Sequence, residues 1–167
     1  FSLPDLSGGT VSLADHKGKV VVLEWFNPGC PFVKQAHGPD GGLKSMANSW
    51  SEKGVVWLAI NSGAPGSQGT GVDANKRAKS DWKMNHPILL DESGTVGRSY
   101  AAKTTPQMVV IDPKGNQVYN GALDNAPFGN PKGGALDPIT ERVLAAVTAG
   151  KASPQGQSKP YGCSVKY

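Results

Sequence analysis

Three features of the sequence predict an α/β fold in which helices flank a central mixed β-sheet. Two runs, Val20-Val21-Val22-Leu23 and Val55–Ile60 (VVWLAI), are apolar on both faces, as strands covered by helices on each side must be. Helical spacing of apolar residues recurs at Leu43, Met46, Ala47 and Trp50, and again at Ile139, Val143, Leu144 and Val147. Those stripes give each helix one inward face. Gln107–Ile111 and Gln117–Gly121 flank Asp112-Pro113-Lys114-Gly115-Asn116, a turn cluster that joins antiparallel strands.

The chain of 167 residues is 38% hydrophobic and 18% charged, with a net charge of +4. This is ordinary globular composition, enough for one domain spanning 1–167. Its lysines are scattered, so no nucleic-acid stripe is expected. No apolar stretch approaches the ~20 residues of a membrane span. The chain opens at Phe1 without an initiator methionine. A mature form or a trimmed piece fits that start, and the expected compartment is periplasmic or secreted, with the cytoplasm left open.

Phe1–Leu13 (FSLPDLSGGTVSL) reads as a hairpin around Ser7-Gly8-Gly9. The buried strand from Val20 then breaks at Asn27-Pro28-Gly29, and Cys30-Pro31 follows. Proline suits a first helical position, so Cys30 is expected at the N-cap of a helix over Pro31–His37. The positive end of that helix favours thiolate over thiol. A buried cysteine acting as a small hydrophobe is the alternative. Glu24 ends the apolar strand six residues earlier. A carboxyl there is expected to have a raised pKa and to serve as an acid or base, unless it is a solvated strand end.

Gly38–Gly42 interrupts the helix, which resumes at Leu43 and stops at Gly54. Asn61–Val72 is a Gly/Ser-rich loop beyond a buried strand, where such sheets put their crevices, and is expected to be a mobile rim. It lacks a phosphate-loop pattern. Asp73–Trp82 reads as a helix capped by Asp73, Ile88–Leu90 as a strand, and Val96–Tyr100 as a short helix. Ala122–Ala135 is an irregular insertion, Asp137–Ala149 the last helix, and 150–167 a C-terminal tail whose first part, Gly150–Lys159, is polar with little to bury. His16, His37 and His86 are far apart and the two cysteines form no close ligand pair, so neither a metal site nor a cofactor is expected.

The strand, turn and Cys30-Pro31-Phe32-Val33-Lys34 helix resemble the active-site segment of the thioredoxin superfamily, with the redoxin or peroxiredoxin-like (AhpC/TSA) proteins the most similar branch. Laid on Trp-Cys-Gly-Pro-Cys, Cys30 matches the first cysteine and Val33 the second, a Cys-X-X-Val motif. The resemblance implies a thioredoxin-like fold preceded by a β-hairpin. It also implies a buried acid at Glu24 that exchanges protons with the active-site sulfur. Thr104-Thr105-Pro106-Gln107 matches the segment whose proline is cis and lies against that sulfur. Substrate contacts are thereby implied at Pro31, Thr105 and Pro106, with the Thr105 backbone offered to an incoming extended strand.

Peroxiredoxins carry Pro-X-X-X-Thr-X-X-Cys, whereas Leu23 and Asn27 hold the Pro and Thr positions relative to Cys30. The expected activity is therefore thiol–disulfide exchange with protein or small-molecule thiols and disulfides, Cys30 being the nucleophile. A peroxiredoxin-like antioxidant and a redox-inert binding domain are the alternatives. With Val33 in place of the local partner, any intramolecular resolution falls to Cys163. Residues 150–162 reach roughly 40 Å when extended, enough to cross the domain. A free or intermolecular Cys163 remains the other reading, and oligomeric state is unread.

Overall fold

The computed structural model describes residues 1–167. Strands β1 (Ser2–Pro4) and β2 (Thr10–Ser12) form the expected N-terminal hairpin, Leu3 facing Val11 across it. The Asp5 carboxylate closes its turn by accepting from the Ser7 and Gly9 N–H groups. A 3₁₀ turn over Leu13–His16 leads to β3 (Val21–Trp25), buried along its whole length.

The remaining elements are α1 (Pro31–His37), α2 (Leu43–Glu52), β4 (Val56–Asn61), α3 (Val72–Asp81), β5 (Ile88–Leu90), α4 (Thr95–Ser99), β6 (Thr104–Thr105), β7 (Gln107–Ile111), β8 (Gln117–Gly121), α5 (Ile139–Thr148) and β9 (Cys163–Ser164). The main sheet runs β5-β4-β3-β7-β8. β3, β4 and β5 are parallel, and β7 and β8 are antiparallel to their neighbours. This is a mixed sheet with β3 at its centre, in a thioredoxin-like α/β fold.

Alternation along β3 feeds both faces, as its double-sided apolar character predicts. Val22 packs with Leu43, Ala47, Trp50, Trp57, Met108, Val143 and Leu144 beneath α2 and α5. Val21, Leu23 and Trp25 pack on the opposite face with Leu3, Leu58, Ile60, Val96 and Val109. No helix is long and apolar enough to cross a membrane.

Two local expectations are corrected. Helix α3 is capped by Gly71, at φ 85°, and Asp73 lies inside its first turn. A carboxylate near a helix N-terminus is favourable there without capping it. The loop over 61–72 is tied down rather than loose: the Asn27 side-chain amide donates to the Gln68 carbonyl and that of Asn61 to the Gly69 carbonyl.

The tail also has more to hold than its polarity predicts. Asn120 N–H donates to the Gly156 carbonyl, and Ser158 N–H to the Asn120 carbonyl, so the tail first runs alongside β8. Ser158 Oγ accepts from Ala122 N–H and lies 2.6 Å from the Tyr119 hydroxyl. Further on, β9 pairs with β6. Leu23→Ala, at the centre of the sheet and fully buried, should lower unfolding stability by about 2–5 kcal/mol, read from urea melts against the parent chain.

Candidate active site

The site begins where β3 ends. Asn27 accepts from Gly29 N–H at 2.7 Å, and its carbonyl accepts from Cys30 N–H at 3.0 Å, shaping the turn over Phe26–Gly29. Cys30 is the N-cap of α1, with extended backbone (φ −77°, ψ 125°) and Pro31 at the first helical position. Its side chain is 1% exposed. Pro31 and Lys34 lie exposed on the same helix.

Strand β6 crosses in front of this sulfur. The Thr105 carbonyl lies 3.1 Å from Cys30 Sγ, and the Thr105–Pro106 peptide is cis. Antiparallel to β6 runs β9, pairing Thr105 with Cys163 and Thr104 with Ser164. Gly162 makes the approach feasible: its φ is +136°, and a Cβ there would lie 2.1 Å from the Thr105 carbonyl oxygen. A residue with a side chain would clash.

The outcome is that Cys30 Sγ and Cys163 Sγ stand 2.7 Å apart across 133 residues of sequence, both as free thiols. Burial alone would push the Cys30 thiol up. The hydrogen bond from Cys163 and the backbone N–H groups of Val33 and Cys163 more than offset it, so Cys30 lies below the ordinary thiol range. Cys163 moves the opposite way, up to about 11, through burial and its donation to Cys30. The two shifts are opposed, so negative charge is favoured on Cys30 over Cys163.

Glu24 lies one layer down and is fully buried, on the same face of β3 as Val22. Its hydrogen bonds go to His37 Nε2 at 2.6 Å and Trp57 Nε1 at 2.9 Å, none of them to a sulfur. His86 Nε2 is 3.9 Å away. The expected raised pKa is corrected: burial pushes the carboxyl up, but His37, His86 and the Trp57 N–H together hold it below the usual carboxylate range. His86 is held down to about 4, chiefly by burial, with Glu24 opposing and His37 and Lys79 adding to it.

Neither histidine was singled out as a partner of Glu24 by the sequence. His37 follows Val33 by one helical turn on the buried face of α1, a spacing that signals orientation but not a partner. It stacks on Trp82 with rings 11° from parallel. His86 arrives from the loop before β5 and carries no local signal.

The AhpC/TSA family model matches residues 1–119. The thiol-disulfide oxidoreductase ResA of Bacillus subtilis is 28% identical over 121 residues, covering 71% of this chain and 61% of that protein. A Coxiella burnetii protein bearing a peroxiredoxin name, bcp, is 31% identical over 104 residues, 60% of each chain. The crystal structure of a hypothetical protein from Sinorhizobium meliloti 1021 superposes with a TM-score of 0.87 at 26% identity, covering all of this chain and 90% of that one. The chain spans about three fifths of the length of the two curated relatives named here.

Two outcomes follow from these charges. Cys163→Ala removes the donor to Cys30 and should move the inflection of Cys30 alkylation rate with pH upward, toward an ordinary thiol; an unmoved inflection would show that Cys163 does not stabilise the thiolate. Stability should also fall on acidification. Unfolded His86 takes up a proton below its ordinary 6.5, whereas the folded residue resists until about 4. Stability is therefore lost progressively over that interval, by on the order of 3 kcal/mol. Glu24, whose folded pKa is depressed from 4.5, adds a further loss as pH falls below that value. Urea melts at stepped pH should show the upper part of the decline flattened in His86→Gln.

Proposed function

The chain belongs to the AhpC/TSA family, and from that premise we propose that it is a thiol–disulfide oxidoreductase working through the Cys30–Cys163 pair. The observation that carries this reading is the 2.7 Å approach of the two sulfurs. Exchange needs a thiolate, a second sulfur within bonding reach and a partner thiol or disulfide. Cys30 supplies the thiolate and Cys163 the second sulfur. Two electrons pass from the reduced pair to a partner disulfide, which leaves as a dithiol while Cys30 and Cys163 become joined; the reverse oxidises a partner dithiol.

Thr105 and Pro106 form the wall against which the sulfurs meet, and Pro31 the exposed lip of the helix beside them. Glu24 acts as a positioning residue, holding α1 against β3 through His37. One domain, 1–167, includes the tail as a working part. An oxidising compartment, periplasmic or extracellular, suits a pair of this kind.

Peroxide reduction is disfavoured by the surroundings. The side chain at the threonine position, Asn27, is engaged with Gly29 and Gln68. Arg98 lies over the Tyr167 ring and Arg142 pairs with Asp137, while the third arginine, Arg77, lines a surface cleft with Pro28, Gly29 and Lys34 and makes no hydrogen bond to Cys30. Turnover of a cysteinyl-peptide disulfide with a dithiol donor should fall at least about a hundredfold in Cys30→Ser. Unchanged turnover would defeat the proposal, and faster consumption of hydrogen peroxide than of disulfide would replace it with an antioxidant role.

A further inference from the structure

We propose that partners exchange with this protein at Cys163, so that the tail cysteine is the entry sulfur and Cys30 the internal one. This rests on the exchange reading above and inverts the order expected from the position of Cys30 in its motif.

Access is the first argument. Cys30 is 1% exposed, enclosed by Thr105, Val33 and the tail, whereas Cys163 is only partly buried. The tail is seated on both sides of Cys163. Ahead of it, the Tyr161 hydroxyl donates to Asp124 at 2.5 Å. Beyond it, Val165 N–H donates to the Lys103 carbonyl, Ala64 N–H to the Lys166 carbonyl, and the Tyr167 hydroxyl to the Ala102 carbonyl. The Arg98 guanidinium covers the Tyr167 ring at 4.4 Å. These contacts hold the tail over Cys30 through groups other than the two sulfurs.

Leaving-group chemistry is the second argument, and it is independent of the first. A thiolate attacking a disulfide expels the sulfur whose thiolate is better stabilised. Here that is Cys30, at the helix N-cap with the backbone N–H of Val33 behind it. Attack on Cys163 is therefore favoured both by approach and by departure.

The steps balance as follows. In the oxidised chain a partner thiolate attacks Cys163 Sγ, the Cys163–Cys30 bond breaks, and Cys30 leaves as a thiolate. The partner's second thiol loses its proton and attacks the partner sulfur of the mixed disulfide. Cys163 departs and takes up a proton, and the partner leaves oxidised. In reverse, Cys163 passes its proton to the Cys30 thiolate and attacks a partner disulfide, whose first sulfur leaves as a thiolate and takes up that proton; Cys30 then attacks Cys163 Sγ, and the partner's second sulfur leaves as a thiolate.

The same geometry restricts the partner. The open edge of Thr104–Thr105 is filled by the chain's own Cys163–Ser164. An extended partner strand cannot pair there while the tail is seated. The partners that fit are small thiols and dithiols, or a cysteine on a protruding flexible segment.

The test begins with the oxidised full chain, in which peptide mapping looks for the linked Cys30–Cys163 peptides. It is then mixed with excess of a single-cysteine peptide, quenched in acid at short times and alkylated with a maleimide. Adduct on Cys163 with Cys30 alkylated should exceed the converse by at least about tenfold. A linked chain whose adduct lies on Cys30 overturns the inference and leaves the exchange reading standing. Absence of the linked peptide after oxidation defeats both. In Tyr167→Ala, which loosens the seat through a side chain that bonds neither sulfur, the share of adduct on Cys30 should rise severalfold; an unchanged share would refute the tail as the cause of selection.

Discussion

The contact between two sulfurs 133 residues apart is the constraint on which the architecture of the site depends. It requires a strand that ends in a tight turn, so that Cys30 points out of the sheet at a helix start. It requires β6 to stand beside that turn with an unused edge. It also requires a tail able to lie flat against the edge, which is where Gly162 enters, since any Cβ there would strike the Thr105 carbonyl.

Beneath the sulfurs a different problem is solved. A carboxylate buried at the centre of a sheet is costly unless it is paired and hydrogen-bonded. Glu24 satisfies its two oxygens with His37 on α1 and Trp57 on β4. The helix carrying Cys30 is thereby fixed at its far end to the strand that precedes it. That makes Glu24 a determinant of where the helix lies, and through it of where Cys30 points. Its own charge has no hydrogen bond to the sulfurs and reaches them only through this framework.

Much of this was legible in the sequence where the signal is local or periodic. Pro31 fixed the helix start and so the N-cap position of Cys30; the doubly apolar runs identified β3 and β4. Asp112–Asn116 marked the β7–β8 turn. Illegible parts share a physical cause. The tail holds β8 and β6 through backbone hydrogen bonds, which any residue but proline can donate, so its polar sequence showed no pattern. His37 and His86 come within 6.4 Å of each other, ring to ring, and both reach Glu24 from segments far apart in the chain, a matter of packing rather than of spacing. Burial correctly implied a raised pKa for Glu24 in isolation; the imidazoles that reverse it come from distant segments. Gly71 displaced Asp73 as the cap of α3 because the chain turns two residues earlier, through a positive φ open to glycine.

The seated tail also bears on the direction in which the pair is poised. Linking two residues so far apart restricts the unfolded chain by about 5 kcal/mol in the chain-entropy relation. By linkage, a fold that holds both thiols together favours the joined state by a comparable amount relative to the unfolded chain. That advantage does not come from the sulfurs. It comes from contacts such as Tyr161 with Asp124, Tyr167 with Ala102, and the β6–β9 pairing, which hold the tail through groups other than the sulfurs. Thiolate stabilisation on Cys30 acts in the opposite sense, because it favours the reduced form. The balance between a tail that favours joining and a helix start that favours the separated thiolate sets the potential of the pair. The two contributions lie on different elements and can be varied independently.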